Sequence, residues 1–165
     1  MIEKPRNAIA YFSPPGLLPP GQVLALNQAL RIAVLYQAES EQPFVAMVQF
    51  SPQAFLLFQR ALDAFPQCCS FEEILQSLSP ALAQHLLQGH VAEGSKSWVQ
   101  LMRPVYKAAR KATEGLLSFG LELHSVRSMG YKIGPARSSL SLGEPPSLAR
   151  LSFARRGTHR GTDER

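Results

Sequence analysis

The chain divides into apolar and polar blocks of two different periods. Ala29 to Gln37, ALRIAVLYQ, and Phe44 to Phe50, FVAMVQF, are short, rich in β-branched and aromatic residues, and separated by the polar AESEQP. Two such runs around a polar turn predict paired strands, with Pro43 where the second begins, and so a small antiparallel sheet near the N-terminus. From Ser51 the period lengthens. Ser51 suits an N-cap and Pro52 a first helical position, and Phe55, Leu56, Phe58, Leu62 and Phe65 recur at helical spacing up to Pro66. Ser70 and Glu73 stand at capping-box spacing and predict a short second helix to about Leu78. Pro80 to Val91 predicts a further one, with Leu82, Leu86 and Leu87 as its apolar stripe and Gly89 as its end.

The next block, SWVQLMRPVYKAARKATEGLLSFG from Ser97 to Gly120, is helical in period and two-sided in chemistry. Leu101, Val105, Ala108, Ala109, Ala112 and Leu116 fall on one side; Arg103, Lys107, Arg110 and Glu114, at steps of four, three and four, fall on the other, with Lys111 beside them. Pro104 predicts that this helix starts near Arg103, with Pro104 in its first turn, or is kinked or shortened. LELHSV, RSMG and YKI then read as strand, tight turn at Gly130 and strand, a hairpin carrying Arg127 and Lys132. Around these blocks, YFSPPGLLPPGQ predicts an extended or irregular start. Residues from Gly134 on, rich in Ser, Gly, Pro and Arg, predict a mostly disordered tail. The expected division is therefore a Pro/Gly-rich segment over 1–22, a folded domain over 23–133 and an Arg/Ser/Gly-rich tail over 134–165.

Charge sharpens this picture. The whole chain of 165 residues is +5, but residues 1–95 carry four basic against seven acidic residues, 96–132 seven against two, and 134–165 six against three. Positive charge gathers on the long helix, the hairpin and the tail, which points to a polyanionic partner. A basic helix of this width fits the major groove of DNA, where Arg and Lys reach base edges and phosphates.

Other chemistries find little support. Cys68 and Cys69 are adjacent, which suits neither an ordinary disulfide nor a CxxC metal site, and His85 and His90 are five apart, off a common helical face. There is no GxGxxG, P-loop, HExxH or GxSxG, and the chain holds two Asp, Asp63 and Asp163, so neither an enzyme nor a bound cofactor or metal is expected. No apolar run reaches 18 residues and the N-terminus lacks the order of a signal peptide, so the expected setting is the cytoplasm, away from membranes.

From about Ile32 to Ile133 the chain resembles the winged-helix DNA-binding domain of OmpR/PhoB-type response regulators. The resemblance rests on FSPQAFLLF (50–58) for the first helix, SFEEIL (70–75) for the second, AARKA (108–112) in the recognition helix and VRSMGYK (126–132) in the wing. It implies an α+β winged helix-turn-helix fold with a small N-terminal antiparallel sheet and a C-terminal β-hairpin wing. It also implies double-stranded DNA as the partner, with Lys107, Arg110 and Lys111 facing bases or phosphates and Arg127 touching backbone or minor groove. The basic face adds Arg103 and the hairpin adds Lys132 to these expected DNA contacts. Ser128 stands where the family has the first wing glycine, Ala54 where it has an acidic residue, and the connection from Ser79 to Ser97 is longer than the family's. That connection is where such proteins touch RNA polymerase. About thirty residues precede the matched region, too few for a receiver domain, so control by amount, a partner, the tails or homodimerisation is expected. The expectation is thus a transcriptional regulator with a stand-alone winged helix. RNA polymerase or another regulator is the partner expected through 79–97, and the alternative is a winged-helix adaptor that no longer reads DNA and uses its leucine-rich insert, Pro80 to Val91, to bind another protein.

Overall fold

In the computed structural model, which describes residues 8–89 and 91–137, the N-terminal region forms a four-stranded antiparallel sheet. Strands β1 (Ile9–Phe12), β2 (Gln22–Asn27), β3 (Ile32–Gln37) and β4 (Phe44–Gln49) lie side by side in chain order. The register sets Ala10, Leu26, Ala33 and Val48 in one row and Phe12, Leu24, Leu35 and Ala46 in the next, all on the face turned to the helices. Leu24, Leu26, Ala33 and Leu35 in these rows are buried.

The last two strands follow the pattern of apolar runs, with β3 beginning three residues later than the run suggests. Asn27 to Ile32 form a tight turn in which the Asn27 side chain accepts from the Leu30 amide, and Arg31 adopts a positive φ. Strands β1 and β2 go beyond the expected pair. Pro14, Pro15, Pro19 and Pro20 all fall in the β1–β2 connection, where a missing N–H removes no ladder bond. Leu17 and Leu18 between them are buried, so residues 9–22 pair and pack with the layer that follows.

Helix α1 (Pro52–Ala64) buries Phe55, Phe58 and Leu62 as expected, together with Ala54, Leu57 and Ala61, whereas Leu56 and Phe65 are half-buried. Helix α2 (Phe71–Leu78) starts from the capping box: the Glu73 amide donates to the Ser70 hydroxyl at 3.2 Å and the Ser70 amide donates to the Glu73 carboxylate at 3.0 Å. Helix α3 (Pro80–Leu87) packs against α2 and occupies much of the long connection; it buries Ala83 but leaves Leu87 exposed.

Helix α4 (Lys96–Leu116) is the longest element and the centre of the helical layer, packing on α1, α2 and the following hairpin. It begins at Lys96 with Ser95 capping the Trp98 amide, seven residues before the expected start near Arg103, and Pro104 lies inside it. The ring removes one backbone bond, to the carbonyl of Gln100, but Gln100 is exposed, so water can serve that group. Buried Leu101, Met102 and Val105 hold the turns on both sides of the proline. At the other end, Gly115 lets the helix approach β4, since a Cβ there would lie 2.5 Å from the Phe50 ring and 2.9 Å from Val48.

A 3-10 turn (Leu117–Phe119) leads through Gly120 into a second sheet of β5 (Cys69–Ser70), β6 (Leu121–Val126) and β7 (Gly130–Pro135), ordered β5-β7-β6. Strand β7 runs to Pro135 and Ala136 is buried, so ordered structure continues past Gly134, where the tail was expected to begin. The rest of that expected tail, and His90, lie outside the described residues. The described residues therefore form an α+β fold of a four-stranded antiparallel sheet, four helices and a second, three-stranded sheet. Among the described residues no helix is long and apolar enough to cross a membrane.

Candidate nucleic-acid interface

Burial in α4 follows its two-sided sequence. Leu101, Met102, Val105, Ala108, Ala109, Ala112 and Leu116 are buried, while Arg103, Lys107, Arg110 and Lys111 are exposed. The small alanines bring this helix close to its neighbours and the cationic side chains stand outside. Arg110 and Glu114 form an ion pair at 3.6 Å between largely exposed side chains, a contact worth little in water, so Arg110 is free to change partners at small expense. Lys107 and Lys111 line one groove with Ser51, Pro52 and Gln53, at the start of α1. The Ser51 side chain makes no cap hydrogen bond, so the first turn of α1 adds uncapped amides and the positive end of a helix dipole to the two ammonium groups.

Three separate ties fix the hairpin to the helical layer. The Phe71 amide donates to the Met129 carbonyl at 3.0 Å, and β5 pairs Cys69 with Tyr131 and Ser70 with Gly130. Gly130 is required by that pairing: a Cβ on it would fall 1.9 Å from the Cys69 carbonyl oxygen, a backbone atom that cannot step aside. The Leu123 amide also donates to the Thr113 hydroxyl at 3.4 Å, joining β6 to α4. At the centre is the Phe71 ring, edge-on to Trp98, Tyr106 and Tyr131 with centroids 6.1, 6.4 and 5.7 Å away. One aromatic side chain on α2 thus touches α4 twice and β7 once, and such pairs add about 0.5–1.5 kcal/mol each beyond burial.

The turn from Arg127 to Met129 is closed by the Met129 amide donating to the Val126 carbonyl at 3.0 Å. Ser128 sits there at φ +61°, a left-handed conformation that a glycine adopts without strain. Arg127 and Met129 are exposed at the tip, and Lys132 is exposed on β7 opposite His124. His124 is itself tied to Glu122 at 3.1 Å and to the Pro135 carbonyl at 3.1 Å, and Arg137 approaches the same carboxylate at 3.5 Å.

The nearby titratable groups are tuned for structure. Burial, then the Glu73 carboxylate, pushes the Cys69 thiol up to about 11, and burial also raises Cys68. Both cysteines are free, and Cys69 is held as the neutral thiol. Glu73 is held below the usual carboxylate range, first by the Ser70 amide and then by its hydroxyl. Burial raises the Tyr131 phenol, with the neighbouring Tyr106 adding to it. Among the described residues no cluster of three His, Cys, Asp or Glu side chains has a metal-holding arrangement.

All six expected contact residues, Arg103, Lys107, Arg110, Lys111, Arg127 and Lys132, are exposed. The structure brings Lys107 and Lys111 into one groove, pairs Arg110 with Glu114, and sets Arg127 and Lys132 on a separate hairpin attached to the same frame. Sequence reasoning did not find Ser51 and Gln53 as groove partners, nor Phe71 as the hub. Their signal was present only as a helix start and an apolar helix residue, and neither states which distant side chains come near. No protein-family model, curated protein or solved structure matches this chain.

Proposed function

We propose that the chain is a DNA-binding transcriptional regulator built on a winged-helix domain. In this reading α4 enters the major groove and the β6–β7 hairpin is the wing, which lies along the backbone or the adjacent minor groove. Arg103, Lys107, Arg110 and Lys111 supply the groove and phosphate contacts from the helix; Arg127 and Lys132 supply those from the wing. The observation that carries the reading is the joint mounting of helix and hairpin on Phe71. Two basic elements fixed to one aromatic hub keep a constant separation, which a DNA surface with regularly spaced phosphates requires and a merely solvated basic face does not. The groove of Lys107, Lys111 and the first turn of α1 adds a place for a backbone phosphate.

A second reading is a protein-binding adaptor of the same fold, favoured by Leu87, which stands 70% exposed on α3 within the long connection. Selection of bound fragments from sheared genomic DNA separates the two. A sequence-reading regulator enriches a small set of fragments sharing a motif, at least about a thousandfold over bulk DNA. Recovery in proportion to fragment length alone rules that role out and turns the search to partners of α3.

A further inference from the structure

The outer face of the four-stranded sheet has a chemistry that the DNA-binding reading leaves unused. Three rows cross it: Ile9, Asn27, Ile32 and Gln49; Tyr11, Ala25, Val34 and Met47; Val23, Tyr36 and Phe44. None of these residues is charged. Tyr11 is 68% exposed, Met47 59%, Phe44 57% and Ile9 48%, although strand side chains of this size normally pack against a second layer. Contiguous apolar patches of this kind are uncommon on monomers unless something covers them.

We propose that residues 148–153 of this chain, LARLSF, cover that face. After Arg137 the large apolar residues are Leu140, Leu142, Leu148, Leu151 and Phe153, and the last three, with the aromatic ring among them, fall within six residues. The described chain ends at Arg137, and Pro135 just before it lines one groove with Val45 of β4 and with Leu17 and Leu18. The same groove includes Gln22 of β2 and Leu35 of β3, so the end of the domain lies at the end of the sheet that carries the Tyr36 and Phe44 row. Ten residues separate Arg137 from Leu148, a reach of up to about 33 Å, against about 14 Å from the first to the fourth strand. Charge matches as well as reach. Glu39 and Glu41 are exposed in the turn that joins β3 to β4, beside the Tyr36 and Phe44 row, and Arg150, Arg155 and Arg156 flank the apolar residues of the segment. A tethered segment acts at an effective concentration in the millimolar range, which a second copy reaches only in very concentrated solution.

The test uses the full chain carrying benzoylphenylalanine in place of Phe153, irradiated at low protein concentration and mapped by mass spectrometry. The expected product has the mass of one chain and joins position 153 to peptides of β1, β3 or β4. Met47→Asp, placed at an exposed position where the melting temperature should hold, is expected to lower the yield about tenfold, equivalent to about 1.4 kcal/mol. Adducts on α4 or the wing, a product of two joined chains, no adduct on the sheet, or a yield unchanged by Met47→Asp would each overturn the assignment. No DNA takes part, so the outcome is independent of the regulator reading.

Discussion

The sheet of β1–β4 and the unit of α4 with β6–β7 are both built on buried aliphatic and small residues, yet their outer sides follow opposite rules. The sheet's outer rows carry no charge, whereas α4 and the hairpin present seven basic side chains. An apolar surface gains by being covered, so its position is decided by whatever covers it. A cationic surface is already satisfied by water and gains nothing from its own contacts. It must therefore be aimed from behind, and here that task falls to Phe71, to the β5–β7 pairing and to a glycine that no other residue can replace. The residues deciding where the charges stand are themselves uncharged.

Breaking the hub should have the largest effect. Phe71→Ala removes a buried ring with three aromatic partners, and a loss of about 3–4 kcal/mol in denaturant unfolding is expected. DNA affinity should fall with it even in the fraction that stays folded, because helix and hairpin lose their common support. Gly130→Ala comes next, at about 3 kcal/mol, since the new methyl group meets the Cys69 carbonyl. Hydrogen exchange should rise first in β5 and β7 and leave β2 and β3 unchanged, which separates the two regions directly.

A smaller effect is expected at the capping box. Glu73→Gln, which keeps an acceptor for the Ser70 amide and removes only the charge at the helix start, should lower stability by about 0.5 kcal/mol at neutral pH. Because the folded Glu73 carboxyl lies below its ordinary range, its contribution is present above that range and is lost as pH falls through the folded value. The gap in melting temperature between wild type and Glu73→Gln should therefore close on acidification; a gap independent of pH would contradict the role of the charge. An equally small change is expected at the hairpin turn. Ser128→Gly relieves a left-handed residue and should raise stability by about 0.5 kcal/mol, leaving DNA affinity unchanged or slightly improved.

Much of this architecture is legible in the amino-acid order. The capping box of Ser70 and Glu73, the start of α1 at Pro52 and the strand pair over 32–49 follow from local chemistry, which acts within a few residues. Strands β1 and β2 do not, because prolines crowd their connection and the pairing that holds them lies with β3. The start of α4 at Lys96 was hidden by Pro104, whose lost backbone bond is outweighed by buried Leu101, Met102 and Val105 on either side. The basic residues themselves could be read directly, since exposure follows the helical period. Their support could not: nothing in SFEEIL says that Phe71 will meet Trp98, Tyr106 and Tyr131, and the role of Gly130 beyond its turn depends on Cys69, sixty-one residues earlier.

The most direct test of the central claim is the salt dependence of binding to duplex DNA, measured for wild type, Lys107→Ala/Lys111→Ala and Arg127→Ala. The account predicts that log K falls steeply with log salt for wild type, that the slope drops by about two units for the lysine pair, and that it drops by about one for Arg127→Ala. Equal slopes in all three proteins would contradict it, because the basic face of α4 and the wing would then have no part in holding DNA.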